Sequence, residues 1–97
     1  MAKGRVIRIK YGCRDIGFTG ARLEEPALAG PGWQLSVQSP ENLDEFRDDL
    51  AQAKSIALSL FAVDGRWYAG QAMVAFISED PYFPVVTLTG QGPLRRA

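Results

Sequence analysis

Two long apolar runs joined by Asp64-Gly65 constrain the fold of this chain more than any other feature. Residues 56–63 before this pair and residues 66–77 after it have the composition of strands. Asp-Gly between such runs is the strongest short-range signal for a hairpin, because both residues of a two-residue turn need positive φ. Gly70 within the second run indicates a bend or a bulge. The chain is therefore predicted to contain an antiparallel sheet.

Three further segments have strand character. Residues 5–11 alternate, which predicts one face with Ile7, Ile9 and Tyr11 and another with Val6, Arg8 and Lys10. Residues 33–38 alternate in the same way and direct Trp33, Leu35 and Val37 inward. Residues 84–89 form the last predicted strand. The long segment 12–32 is rich in glycine and proline, which predicts an irregular loop or arm around one short strand near residues 16–19.

One amphipathic helix is predicted after residue 38. Ser39 is a favourable N-cap and Pro40 suits the first helical position, while Lys54 complements the negative end of the helix dipole. One apolar stripe is formed by Leu43, Phe46, Leu50 and Ala53. The opposite, solvent-facing side is predicted to be acidic and contains Glu41, Asp44, Glu45, Asp48 and Asp49.

The order of these elements predicts an α+β fold that is mainly β. We expect a small antiparallel barrel or sandwich of about five strands with one amphipathic helix packed on it. The 97 residues fit a single domain spanning 1–97, and the 46% apolar content argues against disorder.

Few residues of this chain are of the types that usually carry out catalysis. It contains no histidine and one cysteine, which excludes serine–histidine and cysteine–histidine pairs, histidine-ligated metals and thiolate zinc sites. Cys13 has basic neighbours but no general base, and the motif Gly90-Gln91-Gly92 precedes no helix that could bind a phosphate. We therefore expect a non-enzymatic protein without catalytic residues, metal or cofactor.

Charge is distributed unevenly although the net charge is zero. Residues 1–22 contain six basic residues and one acid, whereas residues 23–50 contain seven acids and one basic residue. The two segments either neutralise each other within the fold or make complementary contacts between subunits. The interaction candidates from this charge pattern and its neighbouring aromatics are Arg8, Lys10, Tyr11, Asp44, Asp48, Asp49, Trp67 and Tyr68.

The expected partner class follows from the same composition. The zero net charge and the acidic helix argue against nucleic acid, and no apolar run approaches the roughly 18 residues of a membrane span. The basic start of the chain lacks the apolar region of a secretory signal. A protein partner is therefore expected, with a homo-oligomer as the expected form, in the cytoplasm or, for a phage-encoded chain, in the virion.

Two short segments resemble known families. Asp64-Gly65-Arg66-Trp67-Tyr68-Ala69 is similar to the turn and strand of SH3-like and Tudor-type barrels, which implies a monomeric peptide-binding module that uses Trp33, Trp67 and Tyr68. Residues 68–74 and 85–94, ending Gly90-Gln91-Gly92-Pro93-Leu94, resemble the C-terminal part of phage tail-tube-type proteins. That second resemblance implies a β-sandwich that assembles into rings. The leading interpretation is therefore a self-associating structural protein, such as a phage tail or virion component, with the peptide-binding module as the alternative.

Overall fold

A computed structural model describes residues 4–25 and 32–96. The elements are β1 (Gly4–Tyr11), β2 (Arg14–Ile16), β3 (Gly20–Glu24), β4 (Gln34–Gln38), α1 (Leu43–Gln52), β5 (Ser55–Ala62), β6 (Trp67–Ser78), β7 (Val85–Gly90) and β8 (Arg95–Arg96). Six strands form a closed antiparallel barrel in the order β1-β3-β4-β7-β6-β5, and the pairing of β1 with β5 closes it. Strand β2 adds to β1 and β8 adds to β6. The prediction of a mainly β antiparallel fold with one helix is confirmed.

The predicted hairpin joins β5 to β6, but its loop is one residue longer than expected. The backbone N–H of Ala62 donates to the carbonyl of Arg66, and the N–H of Gly65 donates to the carbonyl of Ala62. Gly65 has φ of 84°, whereas Asp64 is not among the described residues with positive φ. This is a three-residue hairpin loop, in which a β-turn is followed by a glycine in the left-handed conformation. Positive φ is therefore needed at Gly65 and not at Asp64.

The predicted faces of β1 are wrong for Val6 and Ile7, because the strand contains a bulge there. Val6 lies opposite Ala62 and Arg8 lies opposite Phe61, so Ile7 is an extra residue on β1. An extra residue shifts the alternation of side chains by one position. Val6 consequently points into the core together with Ile9 and Tyr11, and Ile7 is 50% exposed. Arg8 and Lys10 still face outward, as expected.

The segment 12–32 and the basic end of the chain contain more structure than predicted. Strands β2 and β3 lie within this segment, and β3 pairs along its whole length with β4, so residues 14–24 do not form an irregular arm. Residues 26–31 of the predicted loop lie outside the described residues. Arg95–Arg96 pair with Tyr68 and Ala69, because backbone groups next to an open strand edge gain hydrogen bonds by extending the sheet.

Helix α1 begins later than the capping pattern predicts. Asn42 occupies the N-cap position and its side chain makes no capping hydrogen bond to the backbone. Ser39 has φ of 50°, and its N–H donates to the carbonyl of Pro84. The N–H of Glu41 donates to the carbonyl of Gly17. These hydrogen bonds hold residues 39–41 against neighbouring segments, which leaves the first helical bond to Phe46 and Asn42.

The buried side of α1 also differs from the predicted stripe. Phe46 and Asp49 are the buried residues of the helix, and Leu43 packs against the core from a half-buried position. Leu50 is 38% exposed, so the expectation that it is buried is wrong. Phe46 packs edge-on against the Tyr11 ring with their centroids 4.6 Å apart. That contact turns the helix so that Asp49, and not Leu50, faces the barrel.

Trp33 fills the barrel where β6, β7 and β8 meet, and two glycines make the space. A Cβ atom on Gly90 would overlap the indole ring, and one on Gly70 would lie 2.9 Å from its Cζ2 atom. The indole Nε1 donates to the carbonyl of Gly92 at 3.1 Å. Gly70 pairs in regular register with Leu58, so it makes room for Trp33 and does not mark a bulge. The bulge of β6 lies between Val74 and Phe76.

Gly90→Ala is expected to destabilise the protein by about 1–3 kcal/mol, because the added methyl group overpacks the Trp33 site. Gly20→Ala is the matched control, since a Cβ there meets only the flexible side chain of Gln38, at 3.0 Å. The control should change the free energy of unfolding by less than about 0.5 kcal/mol. Urea unfolding of both variants measures the difference. Equal stabilities would show that Trp33 does not need the glycine.

Candidate interaction surfaces

The first candidate surface is a basic and aromatic strip on the outside of the barrel. The closing register places Arg8 opposite Phe61, and Phe61 lies opposite Trp67. The guanidinium carbon of Arg8 lies 5.7 Å from the centroid of the Trp67 ring, and the Nζ atom of Lys10 lies 5.6 Å from it. Cations above an indole face are attracted by its π electrons. Three of the predicted interaction residues therefore form one cluster.

A shallow trough adjoins this strip and runs along β5 and β6. Its volume is about 360 Å³, near the small end of the roughly 300–1,000 Å³ of ligand pockets. Its lining consists of Ala57, Leu58, Ser59, Ala69, Gly70, Gln71, Gln91, Pro93 and Arg95. Lys10 lies opposite Ser59 on the neighbouring strand. The trough is thus a floor of small residues between two basic side chains.

Tyr68 does not join the strip. It is buried, and its hydroxyl group donates to Asp64 Oδ2 at 2.8 Å. This hydrogen bond holds the pKa of Asp64 below its usual range and raises the pKa of Tyr68. The hydrogen bond connects the loop between β5 and β6 to the start of β6. Trp33 is also buried, so two of the three aromatics expected to line a peptide groove belong to the core.

Tyr11 and Asp49 meet inside the molecule. The Tyr11 hydroxyl donates to Asp49 Oδ2 in a buried hydrogen bond between β1 and α1. Burial first, and then this hydrogen bond, raise the pKa of Tyr11 far above its usual value of about 10. Asp49 is 8% exposed, so its predicted place on the acidic solvent face is wrong. The reason is the rotation of α1 about the Phe46–Tyr11 contact, which brings the carboxylate beneath the helix.

The remaining acids of α1 face solvent but are partly neutralised within the chain. Asp44 pairs with Arg47 at 2.5 Å, and Arg47 also pairs with Glu79 of the β6–β7 loop at 2.5 Å. Hydrogen bonding to Glu79 raises the pKa of Arg47. Glu45 pairs with Arg14. Asp48 is exposed. Part of the predicted charge asymmetry is thus balanced locally, as one of the two sequence interpretations expects.

A third surface was not predicted from the sequence. Phe76, Tyr82 and Phe83 are 61%, 81% and 73% exposed, respectively, and we call them the aromatic trio. All three belong to the hairpin of β6 and β7. Asp80 Oδ1 accepts the backbone N–H groups of Tyr82 and Phe83 at 2.8 and 3.0 Å, which orders the loop. The available signal was two aromatics between Pro81 and Pro84, in a loop where a solvated chain would contain polar residues.

Among residues 4–25 and 32–96 no three metal-ligating side chains come together. Cys13 is an exposed free thiol. No known protein family, curated protein or solved structure matches the chain. Within the part of the chain that the structure describes, no helix is long and apolar enough to cross a membrane.

Asp49→Ala is expected to lower the free energy of unfolding by about 1.5–3 kcal/mol, because it leaves the buried Tyr11 hydroxyl without its charged acceptor. Asp48→Ala is the control, since this neighbouring residue is exposed on the same helix. The control should stay within about 0.5 kcal/mol of wild type. Urea denaturation at neutral pH gives both values. Similar losses in the two variants would contradict the burial of Asp49.

The Tyr11 proton also predicts how stability depends on pH. The folded protein keeps this proton at a pH where the unfolded chain has lost it, so its contribution is complete below about pH 10 and declines above it. The decline is at most about 1.4 kcal/mol per pH unit. Tyr68 is present in both wild type and Tyr11→Phe, so the difference between their slopes isolates Tyr11. Chemical unfolding between about pH 9 and 11 measures it; parallel curves would contradict the assignment.

Proposed function

We propose that this protein is a non-enzymatic assembly module that self-associates through the aromatic trio. The observation that carries the proposal is the exposure of Phe76, Tyr82 and Phe83 on one hairpin whose loop is ordered by Asp80. Large exposed aromatics on an ordered loop are costly in water and are enriched at protein interfaces. Because the loop is already ordered, little conformational entropy is lost when a partner covers it.

The expected contact area supports a protein partner. A buried aromatic side chain covers about 150–250 Å², so at its present exposure the trio can bury roughly 300–550 Å². A stable interface buries about 800 Å² on each partner. The trio therefore supplies about half of such an interface, and the flanking prolines and acids of the loop supply further area. A small-molecule site would instead be concave.

The distribution of charge supports a second copy as the partner. Glu79 and Asp80 lie in the same loop as Tyr82 and Phe83. Glu79 and Asp44 both pair with Arg47, so two acids share one basic residue there. The strip on β1, β5 and β6 contains Lys10 and Arg8, and Arg8 is paired with Asp15 at 3.3 Å, so these three residues together have a net positive charge. Each exposed ion pair contributes only about 0.2–1 kcal/mol. Charge would thus orient two copies, while aromatic burial would hold them together.

The sequence resemblances bear on this proposal in different ways. The tail-tube resemblance covers residues 68–74 and 85–94, and it implies the same class of function, a structural subunit in a ring. Its Gly90 and Gly92 also have a role inside this fold, because Gly90 leaves room for the Trp33 ring and the carbonyl of Gly92 accepts its indole N–H. Such a subunit would act in the cytoplasm, or in the virion for a phage-encoded chain. The alternative of a peptide-binding barrel is less favoured, because Trp33 and Tyr68 are buried.

The double variant Tyr82→Ser/Phe83→Ser is expected to weaken self-association at least ten-fold, because it removes most of the exposed apolar area of the aromatic trio. Val63→Ser is the matched control, since Val63 is also an exposed apolar residue, at 61%, but lies in the other hairpin. Sedimentation velocity over a wide concentration range measures both. A wild-type protein that stays monomeric at millimolar concentration and low salt would refute the proposal.

A further inference from the structure

We infer that the trough on β5 and β6 of a second copy receives the aromatic trio, an inference that rests on the proposed function. The trio consists of exposed aromatic side chains in the hairpin that also contains Glu79 and Asp80, and the trough is a recessed surface near Lys10 and Arg95. The charged residues next to the two surfaces are therefore of opposite sign. The contact would be heterologous, with different surfaces of the same chain meeting.

The floor of the trough can accept aromatic rings. Three of its outward-facing side chains are the small residues Ala57, Ser59 and Ala69. Larger residues border the floor on two sides. Phe61 and Trp67 of the strip lie at one end, and Pro93 lies beside Gly70. An aromatic ring placed on this floor would contact backbone and methyl groups directly. Gln71 and Gln91 at the upper margin offer hydrogen bonds to the hydroxyl group of Tyr82 or to the incoming loop.

The charges along the trough favour the acidic loop. The sheet register sets Lys10, Ser59, Ala69 and Arg95 in one row across four strands. Adjacent strands are about 4.8 Å apart, so Lys10 and Arg95 flank a gap of roughly 14 Å. Among the described residues that line the trough, Arg95 carries a charge, and that charge is positive. Asp80 of an incoming loop would be attracted by these basic residues, while Glu79 keeps its ion pair with Arg47.

The two surfaces cannot meet within one molecule. Gln71 at the trough and Phe76 in the trio are five residues apart on β6, about 17 Å along a continuous strand. Contact between them therefore needs a second copy. Repetition of such a contact closes into a ring when the rotation between subunits allows it, and otherwise continues as a filament.

A complementation experiment tests this arrangement. Tyr82→Ser/Phe83→Ser removes two of the three aromatic side chains of the trio, and Ala57→Trp fills the trough at an exposed position outside the core. Each variant alone is expected to be monomeric in sedimentation velocity. Their equimolar mixture is expected to form a 1:1 heterodimer and nothing larger, because one variant supplies an intact trio and the other an intact trough. Ala57→Ser, which leaves the trough open, should assemble like wild type.

The results separate this inference from the proposed function. If wild type assembles but Ala57→Trp assembles equally well, or the mixture stays monomeric, the trough assignment is overturned and the trio remains the contact. If wild type itself is monomeric, the proposed function fails and the trough assignment with it. Arg95→Glu is a second variant that leaves the floor unchanged; assembly weakened at least three-fold supports the inference, and unchanged assembly overturns it. Far-UV circular dichroism checks that every variant is folded.

Discussion

The pairing of β1 with β5 is the interaction on which the rest of the structure depends, because it converts an open sheet into a barrel. An open sheet of this size would expose two edges and much of its apolar face. The bulge at Ile7 makes the closure compatible with the core, since it turns Val6 inward beside Ile9. Closure also determines the outer surface, because it brings Arg8 and Lys10 of β1 next to Trp67 of β6.

Two buried contacts hold the barrel at different places. Trp33 occupies the space where the edge of β6 passes from β7 to β8, and only glycines leave room for its ring. Tyr11 and Asp49 join β1 to α1 through a buried hydrogen bond. The Tyr11–Asp49 contact uses residue types that also occur on protein surfaces, so their residue type does not predict burial. The residues left outside, above all the aromatic trio, are therefore the ones available for a partner.

Local sequence signals were sufficient for most strands and for the existence of the helix. Trp33, Leu35 and Val37 alternate without interruption and are all buried. The signals failed where a distant contact overrides local periodicity. The helical stripe favoured Leu50, but Phe46 packs against Tyr11 and turns Asp49 inward. Gly70 suggested a bulge, while its function is to accommodate a tryptophan 37 positions earlier in the chain.

The sequence by itself determined that the chain is a mainly β domain with one helix, because side-chain periodicity and the Asp64-Gly65 turn act over a few neighbouring residues. It also determined the absence of histidine chemistry, which follows from composition alone. Only the tertiary structure decided which aromatics are buried and which are exposed. The sequence predicts Tyr68 as an interaction residue, yet it is buried whereas Tyr82 is exposed, because burial depends on whether other strands surround a side chain. Barrel closure is a long-range event, so the surfaces it creates have no local signature.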